Sequence, residues 1–182
     1  VSTLLIGGSY GVGGPADPER GGGRGRRAAC DDPGVPVEFR RCDAARPPAS
    51  DLVAAVLDEY DVLAGRALSG GPSATPADFS PPGGAFVVGF VDGAPACCGG
   101  VKALGGGAAE VKRMYVVPAF RGQGLARLLL PELERVAREL GHRVMRLDSV
   151  SATWPIYQAQ GYREIGDYND NPHADHWGEK RL

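Results

Sequence analysis

Six residues carry the sharpest chemical signal in this chain: Arg121-Gly122-Gln123-Gly124-Leu125-Ala126, lying where a strand-like apolar run gives way to an amphipathic helix. The first turn of a helix presents N–H groups with no acceptor inside the helix, and the summed peptide dipoles make that end positive. A pyrophosphate is the natural ligand for such an end. Gly122 and Gly124 keep side chains out of its way and tolerate a tight turn, Arg121 adds charge, and Gln123 adds an amide. The spacing is not that of a dinucleotide fingerprint, which needs a third glycine inside a parallel βαβ unit and an acidic residue further on. Arg127 stands where that third glycine would be, and the strand before the turn follows two antiparallel ones. A second glycine cluster, "GGSYGVGG" at 7–14, lacks both a positioning strand and the Lys-Ser/Thr of a nucleoside-triphosphate loop, so it reads as linker.

The elements that must position the turn are legible from periodicity. "VPVEFRRC" (35–42) alternates as a strand. Ser50 is placed to cap a helix running to about Ala64, with Leu52, Val53, Val56, Leu57, Tyr60 and Leu63 on one face. A Pro/Gly loop spans 69–84. Asp92-Gly93 marks the turn of a hairpin, and a glycine turn at 105–107 leads into a third strand, 108–117. The helix 124–140 carries Leu125, Leu128, Leu129, Leu133, Val136 and Leu140 at spacings of three and four, and Gly141 stops it. Pro131 falls inside that helix, removes a hydrogen bond to the Arg127 carbonyl and predicts a kink, not a break. "VMRLDSV", a short helix ended by Gly161 and two closing strands complete the order β-α-β-β-β-α-β-α-β-β. This is a mixed α/β (α+β) layer structure.

The 182 residues suffice for one such domain (35–182), preceded by a Gly/Arg-rich stretch (1–34) that holds ten of the 28 glycines and is expected to be flexible. A net charge of −2 argues against a nucleic-acid binder, and no run is long and apolar enough to cross a membrane. Cys30, Cys42, Cys97 and Cys98 lack metal-ligand spacing, so no metal is expected and the thiols read as buried or idle, which fits a reducing cytoplasm. His142, His173 and His176 add no metal spacing, and Trp154 and Trp177 read as packing residues or as walls of a pocket. Asp51, Asp58, Glu59 and Asp61 read as a solvated acidic face or as a field that steers a cation.

With these residues on the page, the chain over 35–182 resembles the GNAT superfamily of acyl-CoA-dependent N-acyltransferases. Its Arg/Gln-x-x-Gly-x-Gly/Ala signature is matched by Arg121, Gly124 and Ala126, and the Val116-x-Pro118 lead-in and Tyr157-x-x-x-Gly161-Tyr162 are similar too. "FSPPGG", "AEVKRMYV" and "YNDNP" look like a bacterial branch whose substrates are usually unassigned. The resemblance implies a central, mostly antiparallel sheet of six to seven strands flanked by helices. It implies acetyl-CoA in a splay between strands 108–117 and 144–150, its pyrophosphate on the amides of Arg121, Gly122, Gln123, Gly124, Leu125 and Ala126. The pantetheine arm would pair with backbone at Met114, Tyr115, Val116 and Val117. Alternation places Glu110, Lys112 and Met114 on one strand face. The resemblance implies Glu110 as general base, with an exposed strand glutamate paired to Lys112 or to an arginine as the plainer reading. It implies Tyr157 as general acid, with a packed tyrosine as the plainer reading. The expected acceptor is a small molecule bearing a primary amine, with a peptide or protein amine as the alternative. The loop 65–84 and the segment 168–177 are expected to frame its site, since variable loops carry specificity, and a homodimer is common in the family. The rival is a coenzyme A-binding module without turnover.

Overall fold

The computed structural model describes residues 36–64 and 74–182; the 1–34 stretch with Cys30, and residues 65–73 of the expected acceptor loop, lie outside the described residues. In chain order the elements are β1 (Glu38–Cys42), α1 (Ala49–Ala64), β2 (Ala85–Val91), β3 (Ala94–Gly105), β4 (Ala108–Val116), α2 (Leu125–Glu139), β5 (Val144–Ser149), α3 (Trp154–Ala159), β6 (Arg163–Ile165) and β7 (His176–Arg181), with short 3-10 turns at Pro76–Phe79 and Pro118–Phe120. They build one seven-stranded sheet in the order β1-β2-β3-β4-β5-β7-β6. Every neighbouring pair is antiparallel except β4 with β5. The expected element order and mostly antiparallel sheet are present.

Local chemistry explains the turns. Asp92 and Gly93 both take left-handed backbone, φ 49° and 80°, as a two-residue hairpin turn requires. At the end of α2, Gly141 (φ 88°) lets the His142 amide reach the Ala137 carbonyl while its own amide bonds Arg138, closing two free carbonyls. The helix α1 starts one residue before the predicted cap, so Ser50 lies in its first turn, its amide donating to Arg46.

The helices cover opposite faces of the sheet. Val87, Val111, Met114 and Val116 pack with Leu125, Leu129, Leu133 and Val136 of α2. Phe86, Val88 and Tyr115 pack with Leu52, Val56 and Tyr60 of α1 and with Phe79. Adjacent glycines in β3 make both approaches close: a Cβ at Gly99 would sit 2.7 Å from the Leu133 side chain, and one at Gly100 2.3 Å from the Phe79 ring.

Two sequence expectations are corrected. Between the pairs Cys98↔Tyr115 and Gly100↔Lys112, the β4 strand gains an extra residue, with Arg113 at φ 57°. This bulge reverses the alternation. Glu110 and Lys112 share a face, but Met114 turns to the α2 side and packs with Val111 and Val116. In α2, Leu128 is 43% exposed while Leu130, absent from the expected stripe, is buried, because the buried face is centred on Ala126, Leu129, Leu133 and Val136. The helix runs on through Pro131 as one element. The Arg127 carbonyl, deprived of its helical donor, accepts the Gln160 side-chain amide at 3.2 Å from the end of α3. Among the described residues no helix is long and apolar enough to cross a membrane.

Candidate active site

The fork between β4 and β5 comes first. Their parallel ladder joins only Ala108–Glu110 to Val144–Arg146, and no ladder pair links them beyond Glu110. From Lys112 onward, the β4 edge toward β5 lacks a neighbouring strand, as the resemblance implies. The strand then leads through Val117 and the Pro118–Phe120 turn directly into the glycine turn.

That turn is open to solvent and pinned at its far end. Gly122 and Gly124 sit at φ 80° and 78°, and Gly124 is the N-cap of α2. A Cβ at either would meet nothing within 4 Å, so backbone conformation and not crowding demands glycine here, and the space in front is free. Leu125 and Ala126 are buried in the α2 core. The Arg121 amide donates to Pro118 at 3.2 Å and the Arg127 amide to Gly124 at 2.9 Å. Between them, the amides of Gly122, Gln123, Gly124, Leu125 and Ala126 have no main-chain acceptor among the described residues. Five adjacent N–H groups at a positive helix end make a cradle that fits a diphosphate.

Four groups expected to meet coenzyme A already have partners. The Arg121 amide is engaged as above, and its guanidinium grips Glu59 of α1, at 2.8 and 2.7 Å, and the Val116 carbonyl at 2.9 Å. The Val117 amide donates to the Ala96 carbonyl at 2.9 Å. Glu59, read as part of a solvated acidic face, instead points at the turn. Arg127, in the first turn of α2, is exposed and its guanidinium makes no ion pair among the described residues.

Glu110 is not the exposed glutamate of the plainer reading: it is 3% exposed and lies in a buried polar network. Its Oε1 takes Lys112 Nζ at 2.9 Å, the Tyr168 hydroxyl at 2.7 Å and Asn169 Nδ2 at 3.0 Å. Lys112 and Asn169 Nδ2 also reach Asp148 Oδ2, at 2.9 and 2.6 Å. The Asn169 amide can stand only one way round, because the Trp177 indole, a pure donor, bonds its Oδ1 at 2.8 Å. Burial, and then the charge of Glu110, push the Tyr168 hydroxyl far above the ordinary tyrosine range, so it stays a donor. Asp148, Tyr168 and Asn169 were not singled out from sequence; the polar run "YNDNP" was the available signal. Residues 168 and 169 do reach Glu110 from the expected framing segment.

Tyr157 is fully buried. Its hydroxyl contacts Met114 Sδ at 3.9 Å, beside the open stretch of β4, and its ring meets Tyr162 edge-on. Trp154 stacks on His176, whose Nδ1 pairs with Glu164 at 2.7 Å, and His142 Nε2 bonds the Gly83 carbonyl at 2.8 Å. No cluster of metal-ligating side chains occurs among the described residues.

Comparison with known proteins agrees with this architecture. Residues 82–164 match the family model of the acetyltransferase (GNAT) domain. An uncharacterized N-acetyltransferase of Schizosaccharomyces pombe is 33% identical over 99 residues, which is 52% of this chain and 61% of the yeast protein, so the match spans under two thirds of that relative's length. A Klebsiella pneumoniae protein named as an acyl-CoA N-acyltransferase superposes with TM-score 0.64 at 25% identity, over 80% of this chain and 97% of its own. N-acetylglutamate synthase from Neisseria gonorrhoeae, solved with coenzyme A and N-acetylglutamate, shares the fold at TM-score 0.63 and 18% identity, over 80% of this chain and 35% of that one. The family match covers the open edge of β4, the glycine turn and α3 together, so the part of the chain that builds this site is similar to the acetyltransferase (GNAT) domain.

Proposed function

We propose that this chain transfers an acetyl group from acetyl-CoA to the primary amine of a small-molecule acceptor, by direct attack within a ternary complex. The observation that carries the reading is the continuity of the open β4 edge with the five uncommitted amides of Gly122–Ala126. The amides and Arg127 would hold the diphosphate, and the β4 backbone around Met114 and Tyr115 would align the pantetheine arm as a surrogate strand. When bound, the coenzyme supplies an activated acyl carbon with a thiolate leaving group. The chain's own contribution is proton handling. An amine is charged near neutral pH and must lose a proton before its nitrogen can attack. The Glu110 carboxylate is the group assigned to receive it, directly or through water. The Tyr157 hydroxyl holds a proton beside the fork for the departing thiolate.

A second reading, a coenzyme A-binding module without turnover, is favoured by the complete burial of Tyr157. Purified protein mixed with acetyl-CoA and an amine library, followed by free thiol, separates the two. Amine-dependent thiol release supports the enzyme; tight coenzyme A binding with no release across diverse amines supports the module. Gly124→Glu places a carboxylate in the open space before the turn and is expected to abolish coenzyme A binding, read by calorimetry. Undiminished binding by that variant would contradict both readings.

A further inference from the structure

Arg121 directs its hydrogen bonds at the protein itself. Its Nε donates to the Val116 carbonyl and its Nη2 to both oxygens of Glu59. The guanidinium lies over the Tyr115 ring at 5.6 Å, and the Tyr115 hydroxyl donates to Glu59 Oε1 at 2.8 Å. Burial, and then the bond to Glu59, push that hydroxyl up to about 12, so it remains a donor throughout the neutral range. The Arg121 side chain is only 15% exposed and that of Glu59 31%, so the pair is screened less than a surface ion pair. A strap therefore runs from α1, across β4, to the residue that begins the glycine turn.

The turn needs such a strap. Glycine has more backbone freedom to lose than any other residue, and this turn places two of them at positive φ within three positions. Its far end is fixed by burial of Leu125 and Ala126. Its near end is fixed by the Arg121 amide bond to Pro118 and by the grip of Glu59 on the guanidinium.

We propose that Glu59 is a positioning residue for the coenzyme A cradle and couples α1 to the amides of residues 122–126, an inference that rests on the reading of that turn given above. In this proposal Glu59 acts through Arg121 and not on the ligand itself. It holds Arg121 toward α1, and the amides are thereby set before the ligand arrives, which lowers the ordering cost of binding. Coupling between two sites is reciprocal, so a ligand that shifts α1 changes coenzyme A affinity by the factor that coenzyme A changes its own. A direct phosphate contact by Arg121 predicts the opposite sign: freeing the guanidinium from Glu59 would tighten coenzyme A.

The test compares wild type with Glu59→Ala, Glu59→Gln and Glu59→Asp. Two quantities are measured: the calorimetric Kd for coenzyme A, and amide hydrogen exchange of residues 122–126 in the ligand-free protein. Losing the charge-assisted bonds is expected to weaken coenzyme A about tenfold, to speed exchange at the turn, and to raise KM for acetyl-CoA more than it lowers kcat. Aspartate should recover part of the loss. Glutamine keeps the side-chain shape, so its effect is read if alanine compromises folding. Binding as tight as wild type, or tighter, with unchanged exchange would overturn the proposal. If wild type binds no coenzyme A, the reading of the turn fails, and the exchange rates alone decide whether Glu59 positions it.

Discussion

Glu110, Lys112 and Asp148 are 3%, 2% and 0% exposed, one cation between two carboxylates. A buried charge is tolerable only while its partners remain, so the lysine matters most. Replacing Lys112 with Met removes the cation that bridges both carboxylates in the interior. We expect a loss of roughly 3–5 kcal/mol in denaturant unfolding, with a good part recovered when Glu110→Gln is added and one charge is removed. A loss below about 1 kcal/mol for the single variant, the ordinary scale of a surface pair, would show that the network is solvated after all. Spacing along β4 pointed to the Glu110–Lys112 pair, because alternate strand residues are neighbours. Asp148, Tyr168 and Asn169 were hidden because they arrive from β5 and the segment before β7, and no local rule relates positions 110, 148 and 169.

At the scale of elements, α2 shows a local defect repaired at a distance. Pro131 strips the Arg127 carbonyl of its helical donor, and Gln160 replaces it from the end of α3. Gln160→Ala is expected to cost about 0.5–1.5 kcal/mol, the net value of one hydrogen bond. In a Pro131→Ala background the helix regains its own donor, so the same change should cost markedly less. A double-mutant cycle of thermal or denaturant stability reads the difference, and equal costs in both backgrounds would show that the amide contact is idle. The proline's position was legible in the sequence; its remedy was not. The hairpin at Asp92-Gly93 and the stop at Gly141 were legible because each is decided within a few residues. The bulge at Arg113 was not, because its register is set by pairing with β3, and it turned Met114 away from Glu110. Leu128 shows the same limit on a helix, where a stripe read too broadly takes in a position that the tertiary face leaves in water.

Across the whole molecule, the sheet does two jobs with one change of direction. It is continuous through β1–β4 and again through β5, β7 and β6, and it opens only above Glu110, where the single parallel ladder stops. The two helices that cover its faces then meet at that opening: α2 presents its N-terminus there, and α1 reaches across through Glu59 and Arg121. Folding thus brings a positive helix end, a bare strand edge and a buried carboxylate network to one fork. The central claim is that the main-chain donors after this fork hold the diphosphate of coenzyme A. The most direct measurement is a crystal structure of the protein with coenzyme A bound. The account predicts diphosphate oxygens within hydrogen-bonding distance of amides in the 122–126 turn, with the pantetheine arm laid along β4 toward Met114. Coenzyme A bound elsewhere on the protein, with those amides facing only solvent, would contradict it.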